Sequence, residues 1–162
     1  MSKPLIQSTA SKANAEISPD GHWIAYQSDE SGQVQIYVRP FPKVDSGRSP
    51  ISTSGGTRPA WARNGRELFY LDGNGLLTSV AVQTTATTFS ASTPTRILDT
   101  PYYAGSTNRG FDLRAYDVSR DGQRFLMIKD VAPTGQKSPA PAASMVVVLN
   151  WLEELKARVP TK

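Results

Sequence analysis

His22 is the one histidine and cysteine is absent, so nucleophilic, metal and redox chemistry have few residues to start from. A Ser-His-acid arrangement needs its nucleophile on a strained turn. No Gly-x-Ser-x-Gly elbow is present, and no companion acid stands at a recognisable spacing from His22. One histidine, no cysteine and no Asp-x-Asp-x-Asp-Gly loop give neither zinc nor calcium a ligand set. Phosphoryl transfer lacks both a Walker sequence and a Gly-rich kinase loop. The residues therefore read as those of a non-enzyme, with no metal and no cofactor. Their remaining chemistry is contact chemistry. Arg58, Trp61 and Arg63 cluster in one stretch, Arg114 and Tyr116 in another, and Tyr102, Tyr103, Asn108, Arg109 and Phe111 in a third. Rigid aromatics beside arginine are what binding hot spots are made of.

Those clusters are held by a stretch that the chain writes three times. Ile17-Ser18-Pro19-Asp20-Gly21-His22-Trp23-Ile24-Ala25-Tyr26 is echoed by Ala62-Arg63-Asn64-Gly65-Arg66-Glu67-Leu68-Phe69-Tyr70 and by Ser119-Arg120-Asp121-Gly122-Gln123-Arg124-Phe125-Leu126-Met127-Ile128. Each reads as a strand end, an Asx-Gly turn and an apolar strand. Asx tolerates turn geometry and glycine reaches positive φ without a Cβ penalty. Asx-Gly before an apolar run is a hairpin signal. Asp20, Asn64 and Asp121 lie 44 and then 57 residues apart. A unit of roughly 40–45 residues with four strands is the propeller-blade period. The longer interval places an insertion at Pro101 to Gly110, where most of the third cluster sits.

The expected architecture is an all-β propeller with three four-stranded antiparallel blades in the chain, half of a six-bladed ring. Blade 1 covers about 14–53, with strands at 15–18, 23–28, 33–40 and 50–53. Blade 2 covers about 58–98, with strands at 59–62, 67–71, 76–83 and 95–98. Blade 3 covers about 112–150, with strands at 113–119, 124–129 and 145–149, and the Pro/Ala/Ser-rich stretch 132–144 between the last two is a hairpin loop. Leu68 to Leu71 and Phe125 to Ile128 are apolar on both faces, which suits sheets sandwiched between other sheets. Residues 151, 152, 155 and 159 have helical spacing, so blade 3 ends in a short amphipathic helix over about 151–158 instead of a fourth strand. Pro4-Leu5-Ile6-Gln7-Ser8-Thr9 resembles the other fourth strands and is expected to complete a third blade, its own or a partner's.

Composition bounds the rest. The chain has 162 residues, 38% of them hydrophobic, a net charge of +4 and a pI near 9.5. Its cations are scattered, which argues against a nucleic-acid groove. No stretch reaches membrane-spanning length, so membrane insertion is not expected, and Met1 to Ile6 has no apolar h-region, so no export signal is expected in the sequence as written.

At Ser18-Pro19-Asp20-Gly21 with Ile24-Ala25-Tyr26, Ser28 to Gly32 and Gln35 to Val38, the chain resembles the WD40-like repeat of TolB-type β-propellers. Gly55-Gly56-Thr57-Arg58-Pro59-Ala60-Trp61 with Asn64 to Tyr70 resembles the next repeat. The ending Asn150-Trp151-Leu152-Glu153-Glu154-Leu155 is similar to the C-termini of bacterial serine/threonine kinases that carry such a propeller as a sensor. Arg63-Asn64 and Arg120-Asp121 stand where the family pattern prefers Pro-Asp.

The resemblance implies a binding or sensor module acting outside the cytoplasm. Its innermost strands would line a channel open to a peptide, protein or small ligand. Arg58, Trp61, Arg63, Arg114 and Tyr116 fall on or beside those strands, where Trp61 and Tyr116 serve equally well as packing between blades. The alternatives are an accessory propeller of a prolyl-oligopeptidase-like hydrolase, a purely structural assembly unit, or a fragment of a larger propeller. Three blades cannot close a ring, and each end would expose an apolar face of about 500 Å², or about 12 kcal/mol of gross burial at ~25 cal/mol per Å². A homodimer closing a two-fold six-bladed ring is the expected remedy, with the N-terminal strand exchanged across the seam.

Overall fold

The structure, a computed structural model, describes residues 4–99, 114–129 and 144–148. Its strands are β1 (Lys12–Ile17), β2 (Trp23–Ser28), β3 (Gln35–Pro40), β4 (Ser49–Pro50), β5 (Gly56–Trp61), β6 (Glu67–Asp72), β7 (Leu77–Thr84), β8 (Phe89–Ala91), β9 (Thr95–Arg96), β10 (Tyr116–Val118), β11 (Phe125–Lys129) and β12 (Ser144–Val148). They form three antiparallel sheets, ordered β1-β2-β3-β4, β5-β6-β7-β8 with β9 also on β7, and β10-β11-β12. The loop cluster at 102–111 and the C-terminal helix at 151–158 lie outside the described residues.

The repeated turns fold as their chemistry dictates. Gly21, Gly65 and Gly122 take φ of 75°, 70° and 71°. In the first turn the Ser18 hydroxyl donates to Asp20 Oδ1 (2.5 Å) and accepts from the Trp23 amide (2.9 Å), while the His22 amide donates to Asp20 Oδ1 (3.1 Å). Ser119 and Asp121 repeat the network, with the Gln123 amide at 3.0 Å from Asp121 Oδ1 and the Arg124 amide at 3.0 Å from Ser119 Oγ. The middle turn has Ala62 in place of serine and keeps only the Asx half, the Arg66 amide donating to Asn64 Oδ1 at 2.9 Å. Pro19 is thus dispensable to the geometry, since Arg63 and Arg120 occupy its position in the other two turns.

Between the first and second sheets, Trp23, Ala25, Ile36, Val38 and Ile51 meet Trp61, Leu68, Tyr70, Val80 and Val82. Between the second and third, Ala60, Ala62, Phe69, Leu71 and Leu77 meet Tyr116, Phe125 and Met127. Phe69 and Phe125 contact edge to face, with centroids 5.0 Å apart. The apolar run in β6 is therefore buried on both sides. Gly56 leaves no room for a side chain against the first sheet: a Cβ there would lie 2.8 Å from Ile36 and from Ser52.

Three features depart from the sequence reading. Segment 4–9 is bend and coil and does not add a fourth strand to the third sheet of its own chain, and Leu5 in it is exposed. The third sheet accordingly has three strands among the described residues. The outer edge of the second sheet is shared by β8 and β9, because β7 outruns β9 and the Thr85–Thr88 turn folds Phe89 back against Trp23, 5.2 Å between centroids.

The third departure concerns one end of the array. The outer face of the first sheet is not bare. Tyr26 and Tyr37 are 1% and 3% exposed because residues 41–48 fold across them. There Arg39 Nε donates to Tyr26 Oη (2.7 Å) and Arg39 Nη1 to the Val44 carbonyl (2.9 Å). Arg48 lies 4.8 Å from the Tyr37 ring and pairs with Glu30 at 2.8 Å. At the opposite end Phe125 and Met127 are buried and Leu126 between them is 39% exposed, so among the described residues β11 has one uncovered face, as expected of an end sheet in a single chain.

Burial alone would raise the Asp20 carboxyl, but the hydrogen bonds from Ser18 and the His22 amide outweigh it and hold it below its ordinary value. At Asp121 the Ser119 hydroxyl, then the Gln123 amide, have the same net effect. Groups depressed in the folded state contribute stability above their unfolded pKa and lose it as pH falls through the folded one. The melting temperature should thus drop as pH is lowered from about 4 toward 2, and by less in an Asp20→Asn/Asp121→Asn variant. At neutral pH, Ser18→Ala should cost about 1 kcal/mol and Phe69→Ala about 3–5 kcal/mol, both read from urea unfolding midpoints.

Candidate functional site

The innermost strands β1, β5 and β10 approach one another edge-on, and their C-terminal ends surround a cavity of about 430 Å³ lined by Glu16, Ile17, Pro19, Ala60, Trp61, Arg63, Arg114, Asp117 and Val118. A second cavity, about 570 Å³, continues along Asn14, Ala15, Glu16, Pro59 and Arg114. Glu16 and Arg114 line both, so the two form one groove along the inner edges of the sheets.

Local backbone geometry puts these residues there. Both β1 and β5 are interrupted by a register shift, and in each a residue enters the left-handed region: Asn14 at φ 52° and Arg58 at φ 56°. These two residues stand at the same place in their repeats, six before Asp20 and Asn64. One buried carboxamide ties both kinks together, since Gln27 Oε1 accepts from Asn14 Nδ2 (3.0 Å) and from the Arg58 amide (2.8 Å). The Arg58 carbonyl in turn accepts from Tyr116 Oη (2.6 Å), which joins the third sheet to the second. Burial, opposed by nearby Arg114, pushes the Tyr116 phenol far above its ordinary pKa, so it stays a neutral donor.

Arg114 crosses the groove. Its Nη1 lies 2.5 Å from Glu16 Oε2 and 3.5 Å from the Pro59 carbonyl, and its Nη2 lies 3.6 Å from Asp117 Oδ1. The guanidinium sits 5.8 Å from the Tyr116 ring centroid. The Trp61 indole donates to the Glu16 carbonyl at 3.1 Å. Arg63 is exposed at the mouth and has no hydrogen-bond or ion-pair partner among the described residues.

Of the residues singled out from sequence, Trp61, Arg63 and Arg114 line this groove. Tyr116 is buried beneath Arg114. Arg58 is 4% exposed and holds the sheets together through its backbone. Tyr102, Tyr103, Asn108, Arg109 and Phe111 lie outside the described residues. His22 is exposed on the turn, with Nδ1 3.7 Å from Asp20 Oδ2. No cluster of three metal-ligating side chains occurs among the described residues, nor any helix long and apolar enough to cross a membrane. Sequence reasoning passed over Glu16, Ile17 and Asp117. The signal was the repeat itself: Glu16 and Asp117 each stand four residues before the turn aspartate, where the middle repeat has Ala60.

No protein-family profile matches the chain, and no curated protein does. Among solved structures it is similar to oligogalacturonate lyase from Vibrio parahaemolyticus, with TM-score 0.50 and 14% identity over 74% of this chain and 30% of that one. It is also similar to TolB from Acinetobacter baumannii, with TM-score 0.46 and 14% identity over 90% of this chain and 45% of that one. Both are β-propeller proteins, and the fold here is propeller-like. The chain spans less than half the length of either.

Two consequences can be measured. Tyr116→Phe should cost about 1 kcal/mol by removing the bond to Arg58. The Glu16–Arg114 pair, with both side chains about one-third exposed, should show a double-mutant coupling below about 1 kcal/mol that shrinks with added salt.

Proposed function

We propose that this chain is a non-enzymatic propeller module that binds a ligand in the inner groove and associates with a second copy of itself. One observation carries the reading: Glu16 and Ile17, Trp61 and Arg63, and Arg114 and Val118 come from three separate repeats and face one cavity. Convergence of charged and aromatic residues on a rigid scaffold is how propellers and similar repeats present a ligand site. A peptide, a segment of a protein or a small molecule fits such a groove; nucleic acid and membrane do not enter the reading.

Self-association is supported by the exposed Leu126 on the outer face of the third sheet. Closing a six-bladed ring asks more of the other end, where residues 41–48 cover the first sheet and Pro4, Leu5 and Gln7 lie across a cavity from Pro42 to Ser46. In the assembly we envisage, segment 4–9 leaves that position and pairs with β12 of the second copy as its fourth strand, and the cap opens to admit the partner's third sheet. A second reading, part of a longer propeller protein such as a hydrolase's accessory domain or a kinase's sensor region, is favoured by the share of each solved structure that the chain spans.

Light scattering after size exclusion should give twice the 17.6 kDa chain mass. A well-folded monomer at micromolar concentration overturns the assembly, and deleting residues 1–9 should shift the dimer toward monomer. Ester and aminopeptidase substrates should show no turnover; sustained turnover would sink the non-enzyme reading. Titration with a mixed pool of short peptides should move the Trp61 indole signal in an NMR spectrum. A groove that responds to no peptide or small-molecule pool at millimolar concentration is not a binding site.

A further inference from the structure

The repeat places equivalent residues around the groove mouth. Ile17, Trp61 and Val118 each stand three residues before the turn Asx, and all three line the cavity. They make an apolar rim with one member per sheet. Trp61 is buried, but Ile17 is 46% exposed, which among the described residues puts it with Leu5 and Leu126 as the large hydrophobic side chains left in water. Next to this rim, at the residue immediately before the Asx, the repeats carry Pro19, Arg63 and Arg120. The turn itself does not need proline there, as its geometry in the second and third repeats demonstrates. Substituting arginine for proline in the second repeat leaves the fold alone and puts a guanidinium at the cavity mouth beside Ile17 and Pro19.

The electrostatics of the groove count charges of both signs. Arg114 is already engaged by Glu16 and Asp117. Arg63 is exposed and unengaged among the described residues. Among the residues that line the cavity, Arg63 is therefore the one unengaged cation, set beside an apolar rim, and the carboxylates of Glu16 and Asp117 in the same lining would repel a phosphate or a second negative charge. A guanidinium with open donors binds a carboxylate through two parallel hydrogen bonds. Ile17, Pro19 and Val118 offer a small aliphatic surface at the same place.

We infer that this mouth recognises an aliphatic monocarboxylate, such as the C-terminal residue of a peptide ending in leucine, isoleucine or valine. Arg63 holds the carboxylate, and Ile17, Pro19 and Val118 take the side chain. The inference rests on the binding-module reading and names the ligand class for the same groove. A peptide C-terminus and a free branched-chain acid share this chemistry, and the test separates them.

The probes are acetyl-Gly-Gly-Leu with a free carboxylate, the same peptide as its C-terminal amide, and 4-methylpentanoate, titrated against the full chain while the Trp61 indole signal is followed. The free-acid peptide should bind at least tenfold more tightly than the amide. Arg63→Gln should abolish that difference, and Ile17→Ser should weaken the acid about tenfold. Arg66→Gln, which removes the same charge from an exposed position outside the cavity, should leave binding unchanged. Equal binding of 4-methylpentanoate and the peptide acid supports the chemistry and assigns it to free acids; preference for the peptide assigns it to chain ends. Acid and amide binding alike, or an Arg66→Gln effect equal to that of Arg63→Gln, overturns the inference. Should no probe bind while other peptides from a mixed pool still move Trp61, the ligand class is wrong and the binding-module reading stands. If nothing moves Trp61, both fall.

Discussion

Leu68 and Tyr70 leave β6 in one direction and Phe69 and Leu71 in the other, and both directions end in protein. A strand with no wet face cannot exist in a lone sheet. It requires a sheet on either side, and the rest of the molecule follows from supplying them. The first sheet offers Trp23, Ala25, Ile36 and Val38 to one side, and the third offers Tyr116, Phe125 and Met127 to the other. Stacking three sheets face to face brings their first strands together at one edge, and the inner groove is the space those strands leave between them. The candidate site is thus a by-product of burial, and it inherits its shape from the core.

Much of this was legible in the chain because it rests on local chemistry. The Asx-Gly turns, the apolar runs that follow them and the strands on either side are set by residues within a few positions of one another. What was not legible involves partners distant in sequence. Nothing near Tyr26 announces that Arg39 will donate to its hydroxyl, or near Tyr37 that Arg48 will lie over its ring, since that depends on how residues 41–48 cross the sheet. The strand β8 is hidden in a threonine-rich stretch whose one large apolar residue, Phe89, finds Trp23 across the sheet packing. Arg58 read as a contact residue from its type, yet its buried backbone is what matters, because Gln27, 31 residues earlier, reaches its amide. Glu16 and Asp117 could have been found by asking which repeat positions carry charge on an inner strand. Segment 4–9 has strand-like composition but no strand edge beside it in this chain, and composition without a partner makes no sheet.

The two ends of the array differ in kind. One is closed by the protein's own arginines stacked on tyrosines, a cover of polar groups over aromatic rings. The other ends in Leu126, with nothing of that sort among the described residues. Geometry that repeats three times is therefore finished in two different ways among the described residues. Among the described residues the difference gives the stack a direction: a further sheet at the first end would have to displace a cover.

The left-handed residues at Asn14 and Arg58, pinned by one glutamine, carry a further implication. Kinks locked by buried hydrogen bonds do not yield to a guest molecule. The bore between the inner strands is fixed by the fold, so a ligand of the kind proposed would be selected by fit and charge, with little ordering of the protein itself on binding. Widening the passage for a broader guest would mean parting one sheet from the next.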